Sequence, residues 1–267
     1  MLFDVNAWVG TWPFRSLRSN TPTRLVERLD RSGIRWAAVS SIEAIFHRNA
    51  EPANRKLIEE IKGCRERLIP IATINPTYIK WERDLAECLR LGMRGVRLFP
   101  GYHGYEIDGE EAVRVASACR ELGIPVLIPQ RVEDPRQRHW MDPGRTVDLG
   151  CVANLIAAVP GAVYIIQNAR GVPRSPLWQR SELRDLAWYV DLSLSEVDYQ
   201  LHTNVRSMRD LADLIDQGGA NHLLFGTHLP FSYAGPALVK RAILGVDPKT
   251  LEQISYKKAL ELFGIER

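Results

Sequence analysis

The sequence is short of most features that mark a specialised environment. Its four cysteines, Cys64, Cys88, Cys119 and Cys151, stand singly. With no Cys-x-x-Cys pair, neither a zinc knuckle nor a disulfide framework is indicated, and the four read as free thiols, at least three of them on helical patterns. No apolar run approaches the roughly 18 residues that span a bilayer. Met1-Leu2-Phe3-Asp4 meets a charge at once and offers no signal-peptide core. A soluble, cytoplasmic protein with no membrane partner is expected. Charge of one sign is scarce too: 35 Lys+Arg face 32 Asp+Glu, a formal +3, with no long basic run. That excludes nucleic acid as the expected partner and leaves a small-molecule substrate, with a homo-oligomer left open. No Gly-x-Gly-x-x-Gly follows an early strand, and no low-complexity segment or linker divides the chain.

What is present is an alternation of strand and helix. The 267 residues, 45% of them hydrophobic, can bury a large core and read as one domain over 1–267. Asp4-Val5-Asn6-Ala7-Trp8-Val9-Gly10 is the first strand; strict alternation puts Asp4, Asn6 and Trp8 on one face and Val5, Ala7 and Val9 on the other. Further strands are expected over residues 36–42, 68–74, 94–99, 124–128, 163–168, 188–193 and 223–228. Helical patterns separate them: Leu25, Val26 and Leu29 up to Gly33, then Leu57 to Ile61, Leu85 to Leu91, Val113 to Cys119, 149–158, 179–186, and Leu211 to Ile215. Eight such units predict parallel pairing and closure into an α/β (β/α)8 TIM barrel, with a doubly wound sheet as runner-up. An extra amphipathic helix closes the chain at Gly264.

Several stretches together resemble the second amidohydrolase family, the branch of aminocarboxymuconate semialdehyde decarboxylases and pyrone dicarboxylate lactonases. Arg94-Gly95-Val96-Arg97-Leu98 is similar to its fourth strand, Pro125 to Ile128 to its fifth, and Leu224-Phe225-Gly226-Thr227-His228-Leu229-Pro230 to its eighth. Ala259 to Phe263 is similar to its closing helix, with Lys258 in place of the usual asparagine. The resemblance implies a metal-dependent-hydrolase barrel with zinc or a similar divalent ion at its mouth. The usual ligand positions depart from that pattern: Asn6 and Trp8 stand for the two histidines of the first strand, Pro129 and Gln130 follow the fifth, Gln167 and Asn168 end the sixth, and His228 replaces an aspartate. A zinc site wants imidazole, thiolate or carboxylate donors, which amides replace poorly. No cofactor is therefore expected, and the metal set is empty.

The C-terminal ends of the strands gather the remaining polar groups. Three candidates carry chemistry: His228 as general base, His103 in the Gly-flanked loop 101–105, and His139 in the charge-dense stretch Glu133 to His139. Each also has a plain reading, as a packed strand-end imidazole, a solvated loop residue and part of an internally paired surface loop. Substrate binding is assigned to Asn6, Trp8, Arg97, Gln130, Arg131 and Asn168, with His47 and Arg170 at the rim. Arg97 is also readable as packing outward, because Val96 and Leu98 hold the opposite parity, and Trp8 as plain core. Three readings follow. The first is a hydrolase or decarboxylase of a small anionic cyclic ester, amide or carboxylate working without the usual metal. The second is a non-catalytic ligand- or partner-binding barrel whose mouth is plugged by Trp8, Trp12, Phe14 and Trp140, with no open cavity. The third is a metal site relocated to His228, His139 and His103.

Overall fold

The computed structural model describes residues 1–193 and 206–266, with side chains from Leu211 onward in the second segment. Its strands are β1 (Phe3–Val9), β2 (Trp36–Ser41), β3 (Leu68–Pro70), β4 (Ala72–Thr73), β5 (Val96–Arg97), β6 (Val126–Pro129), β7 (Tyr164–Gln167), β8 (Trp188–Asp191) and β9 (Leu223–Leu224). All neighbouring pairs are parallel, in the orders β1-β2-β3 and β4 through β9. The two sets are halves of one barrel. At Ile71 the third barrel strand changes neighbour: Ile71 donates to Val39 O at 2.8 Å, and Ala72 donates to Gly95 O at 2.9 Å. Closure comes on the other side, where Val5 N reaches Phe225 O at 3.0 Å and His228 N reaches Asn6 O at 2.8 Å. An isolated parallel bridge joins Ala7 to Leu229. Strands buried on both faces need apolar residues at nearly every position, which is why they read as continuous runs.

Three apolar clusters form on the strands, two inside the barrel and one between the strands and the outer helices. Phe3, Val5, Leu127, Ile165 and Leu224 fill the lower interior, and Tyr256, Leu260 and Phe263 of the closing helix cap it from below. The Phe263 ring stacks on Phe3 at 5.4 Å. Ala7, Val9, Val96, Leu98, Val126 and Ile166 belong to the larger cluster shared with the outer helices. Trp8, Trp12, Phe99 and Phe231 form the third cluster, at the mouth.

This arrangement corrects the strict alternation expected of β1. Val5 lies inside the barrel while Ala7 and Val9 pack outward, because the register against β2 shifts between Asp4 and Ala7. Such a shift re-aims the side chains beyond it, and Asn6 and Trp8 belong to the mouth as a result.

Three other expectations change in detail. The helix expected over 179–186 is two single turns, Pro176–Gln179 and Ser181–Leu183, separated by extended backbone at Arg180. The 101–105 loop is a helical turn, Pro100–His103, ended by Gly104 at φ 73°, a left-handed conformation that glycine adopts without strain. Cys88 and Cys119 are buried, and that burial pushes each thiol up to about 12, whereas Cys64 and Cys151 are only half-buried.

The helix Leu149–Ala158 shows how local sequence sets an element. Asp148 Oδ1 accepts from Gly150 N and Cys151 N and so satisfies two of the free N–H groups at its start. Asp148→Ala is expected to lower unfolding stability by about 1 kcal/mol in urea titration, leaving the circular dichroism of the folded state unchanged.

Candidate functional site

The mouth of the barrel holds a closed polar network built from strand ends far apart in sequence. Asn6, from β1, donates through Nδ2 to Asn168 Oδ1 at 2.9 Å and to Asp191 Oδ2 at 2.8 Å. Its Oδ1 accepts from Trp8 Nε1 at 3.0 Å. Asn168, just past β7 at φ 57°, donates through Nδ2 to Arg131 O at 2.8 Å, and its backbone N–H reaches Asp191 Oδ1 at 3.0 Å. Ser193 Oγ lies between Asn168 Oδ1 and Asp191 Oδ1. Asn6 and Asn168 have no solvent exposure, and Asp191 is buried.

His228 sits over this network and is locked. Its Nε2 lies 2.6 Å from Val132 O, and its Nδ1 lies 3.2 Å from Trp8 Nε1 and 3.3 Å from Asn168 Nδ2. A carbonyl accepts only, so Nε2 carries the proton and Nδ1 receives from Trp8. The ring stacks on Phe231 at 4.9 Å. Burial pushes its pKa down to about 3; the Val132 carbonyl opposes this, while the positive charges of Arg97, Arg131 and Arg15 reinforce it. Both nitrogens are committed to protein partners and the imidazolium is disfavoured, which fits the packed strand-end reading of this histidine more closely than the general base.

Arg97 does not pack outward. Val96 and Leu98 do, and Arg97 points into the barrel with no exposure. Its guanidinium carbon stands 4.0 Å from the Trp8 ring centroid, a cation–π contact, and Nη1 donates to Ala7 O at 3.3 Å. Nε and Nη2 have no hydrogen-bond partner among the described residues. Burial brings its pKa down to about 9, against the opposing pull of the Asp191 and Asp4 carboxylates. Asp4 accepts from Thr227 N and Asn6 N, each at 2.9 Å, and from the Thr227 hydroxyl. Burial nonetheless raises it to about 7.

The other candidates lie outside this network. Gln130 Oε1 accepts from Arg170 N at 2.9 Å. Arg131 is buried and contributes its carbonyl to Asn168. The His139 ring stacks on Phe14 at 5.4 Å, and its Nδ1 accepts from Met141 N. His103 packs edge-on against Phe99 at 6.0 Å, and burial, partly offset by the Ala44 and Ile45 carbonyls, brings it down to about 4. The three histidines therefore do not form one catalytic group, and among the described residues no three His, Cys, Asp or Glu side chains are placed to hold a metal ion. That corrects the relocated metal site. The charge-dense loop follows its plain reading: Asp134 pairs with Arg136, Glu133 with Arg15, and Arg138 donates to Asp142 O.

Above the network, Trp8, Trp12, Phe14, Phe46, Phe99 and Phe231 meet with ring centroids 4.9 to 5.9 Å apart. Trp8, Trp12 and Phe14 of the expected plug are in this cluster, but Trp140 stands 84% exposed outside it and the mouth is not fully closed. Beside the plug, a groove of about 770 Å³ opens between the loops after β1, β6 and β9, with His228, Leu229 and Phe231 on its wall. Asp191 and Ser193 are functional candidates that the sequence reading passed over. Asp191 ends its strand as Asn168 ends β7, and that position was the available signal.

The inherited metal does not fit these residues. The Asn6 and Asn168 carbonyl oxygens, both His228 nitrogens and the Gln130 carbonyl oxygen are engaged in protein hydrogen bonds, and a guanidinium lies among them.

No curated protein matches the chain. Among solved structures, a dihydroxybenzoic acid decarboxylase from Polaromonas sp., with bound manganese and 2-nitroresorcinol, aligns at TM-score 0.73 and 16% identity over 100% of this chain and 97% of its own. An uncharacterised TIM-barrel protein from Bordetella bronchiseptica aligns at 0.72 and 16% over 98% of each chain. A probable 2-pyrone-4,6-dicarboxylic acid hydrolase from Acinetobacter baumannii, with citric acid bound, aligns at 0.67 and 15% over 99% of each. At these identities the likeness shows the fold, a TIM barrel of the α/β class. A family model described as amidohydrolase extends over nearly the whole sequence, and with residues 13–265 matched the chain belongs to the amidohydrolase family.

Proposed function

We propose that this chain takes a small anionic compound at its barrel mouth and does so without the divalent metal typical of its family. The reaction class is hydrolysis of a cyclic ester or amide, or decarboxylation. The observation that carries this reading is the state of the inherited ligand positions. They keep polar side chains, but Asn6, Asn168 and His228 are tied to protein partners, the first two directly to Asp191, and the Arg97 guanidinium supplies positive charge among them. The names of similar structures, a dihydroxybenzoic acid decarboxylase and a pyrone dicarboxylic acid hydrolase, support a carboxylate as the compound. Asn6, Asn168 and His228 then hold the architecture, and the groove wall is where a ligand meets it.

The aromatic plug favours a second reading, a binding barrel without turnover. Two measurements separate these. Protein purified without added metal should carry substoichiometric zinc and manganese, and adding either ion should leave its melting temperature unchanged; tight stoichiometric binding would overturn the metal-free reading. Turnover of lactones or aromatic carboxylates by that same preparation supports the enzyme, and ligand binding without turnover supports the second reading.

A further inference from the structure

The groove beside the plug is strongly cationic, although the chain as a whole is nearly neutral. Six arginines line it against three carboxylates, a local +3 equal to the formal charge of all 267 residues. The two groups of cations differ. Arg15 is held bidentate by Glu133 at 2.9 and 3.1 Å and donates to Phe231 O, and Arg136 is paired with Asp134, so these build the wall. Arg18, Arg24, Arg28 and Arg31 have guanidinium groups with no ion pair or hydrogen bond among the described residues.

Three of those four come from one helix, Pro22–Arg31, which presents Leu25 and Leu29 to the core. Arg24, Arg28 and Arg31 recur at i, i+4 and i+7, so they share one side of the helix, flanking the buried stripe and lining the groove. At 1.5 Å rise per residue, Arg24 and Arg31 are about 10 Å apart along the axis. A single carboxylate or phosphate cannot engage charges spread so far, whereas a ligand bearing several anionic groups can. Guanidinium groups bind carboxylate and phosphate oxygens in the same fork geometry. The groove volume of about 770 Å³ falls within the range of small-molecule sites.

We propose that this groove is a binding site for a small polyanion carrying two or more phosphate or carboxylate groups, seated on Arg18, Arg24, Arg28 and Arg31. The groove is the one whose wall carries His228, so the site adjoins the network around Asp191, but it does not depend on the metal-free reading. Pyrophosphate represents the phosphate source, citrate the carboxylate source, and acetate the single charge.

Calorimetric titration at low salt should give one pyrophosphate or citrate per chain, whichever chemistry the site prefers, and much weaker acetate binding. The Arg24→Ala/Arg28→Ala double variant should lose at least about tenfold in affinity, and added salt should weaken the wild-type complex. Both side chains lie outside the core, so the variant should melt with the wild type, and Arg83→Ala on another helix should bind normally. Equal affinity in wild type and double variant, or acetate binding as tight as that of both polyanions, overturns the proposal. Because Arg97 and Asp191 are untouched, either result leaves the metal-free reading standing.

Discussion

Replacing Arg97 by alanine is expected to cost about 3–5 kcal/mol of unfolding free energy at neutral pH, measured by urea titration. Two losses combine. The side chain is among the largest with no exposure, so its removal leaves a cavity and ends the 4.0 Å contact with Trp8. The positive charge also disappears from the neighbourhood of Asp191 and Asp4, the two carboxylates that hold its pKa up. Arg97→Met separates these effects, because methionine restores much of the volume without the charge. It also removes a guanidinium whose Nε and Nη2 have no partner among the described residues. Buried charges replaced by well-packed apolar groups often leave stability unchanged or better. Methionine should therefore cost clearly less than alanine, and its cost should shrink as the pH is lowered. Burial already raises the pKa of Asp191, so a proton there can take over from the lost cation. A methionine variant as stable as the wild type at pH 8 would mean that Arg97 is not balancing those carboxylates.

The barrel was readable from the sequence because a parallel sheet buried on both faces needs apolar runs, and the helices between them need their own period. The gathering of Asn6, Trp8, Asn168 and His228 at one end was readable for a related reason: strand ends of a barrel converge whatever their separation in sequence. What those residues do there was less accessible. Whether His228 is a base or a fixed imidazole depends on Val132 O at 2.6 Å and Trp8 Nε1 at 3.2 Å, contacts made across 96 and 220 positions. The direction of Arg97 could be argued either way from parity, since its apolar neighbours Val96 and Leu98 mark only which face is different. In β1 a register shift cancelled the alternation on which the reading of Val5 relied. The arginines of the first helix were hidden by an ordinary appearance, because Arg24, Arg28 and Arg31 look like the solvated side of an amphipathic helix until the loops after β6 and β9 are seen facing them.

The locked network also predicts an unusual dependence of stability on pH. His228 is held neutral, with a folded pKa of about 3 against an ordinary 6.5. Between those values the unfolded chain takes up a proton that the folded chain refuses. Its contribution is complete above about pH 6.5 and lost as the pH falls, on the order of 5 kcal/mol over the whole window. Asp4 works in the opposite sense. Burial raises its folded pKa from 3.8 to about 7 despite three hydrogen-bond donors, so between those values the folded chain holds a proton that the unfolded chain has released. That contribution is complete below pH 3.8 and lost as the pH rises, on the order of 4 kcal/mol. From about pH 4 to 6.5 the two slopes nearly cancel, and each single variant should expose the other. Relative to wild type, Asp4→Asn should lose stability as the pH falls through this range, and His228→Gln should lose it as the pH rises, each by up to about 1.4 kcal/mol per pH unit. Urea titrations at several pH values measure these differences, and groups elsewhere affect all three proteins alike. If both variants ran parallel to the wild type, neither pKa would be displaced by folding. Divergence of His228→Gln alone would establish His228 as a neutral imidazole fixed between Trp8 and Val132, the state that unsuits it as a base.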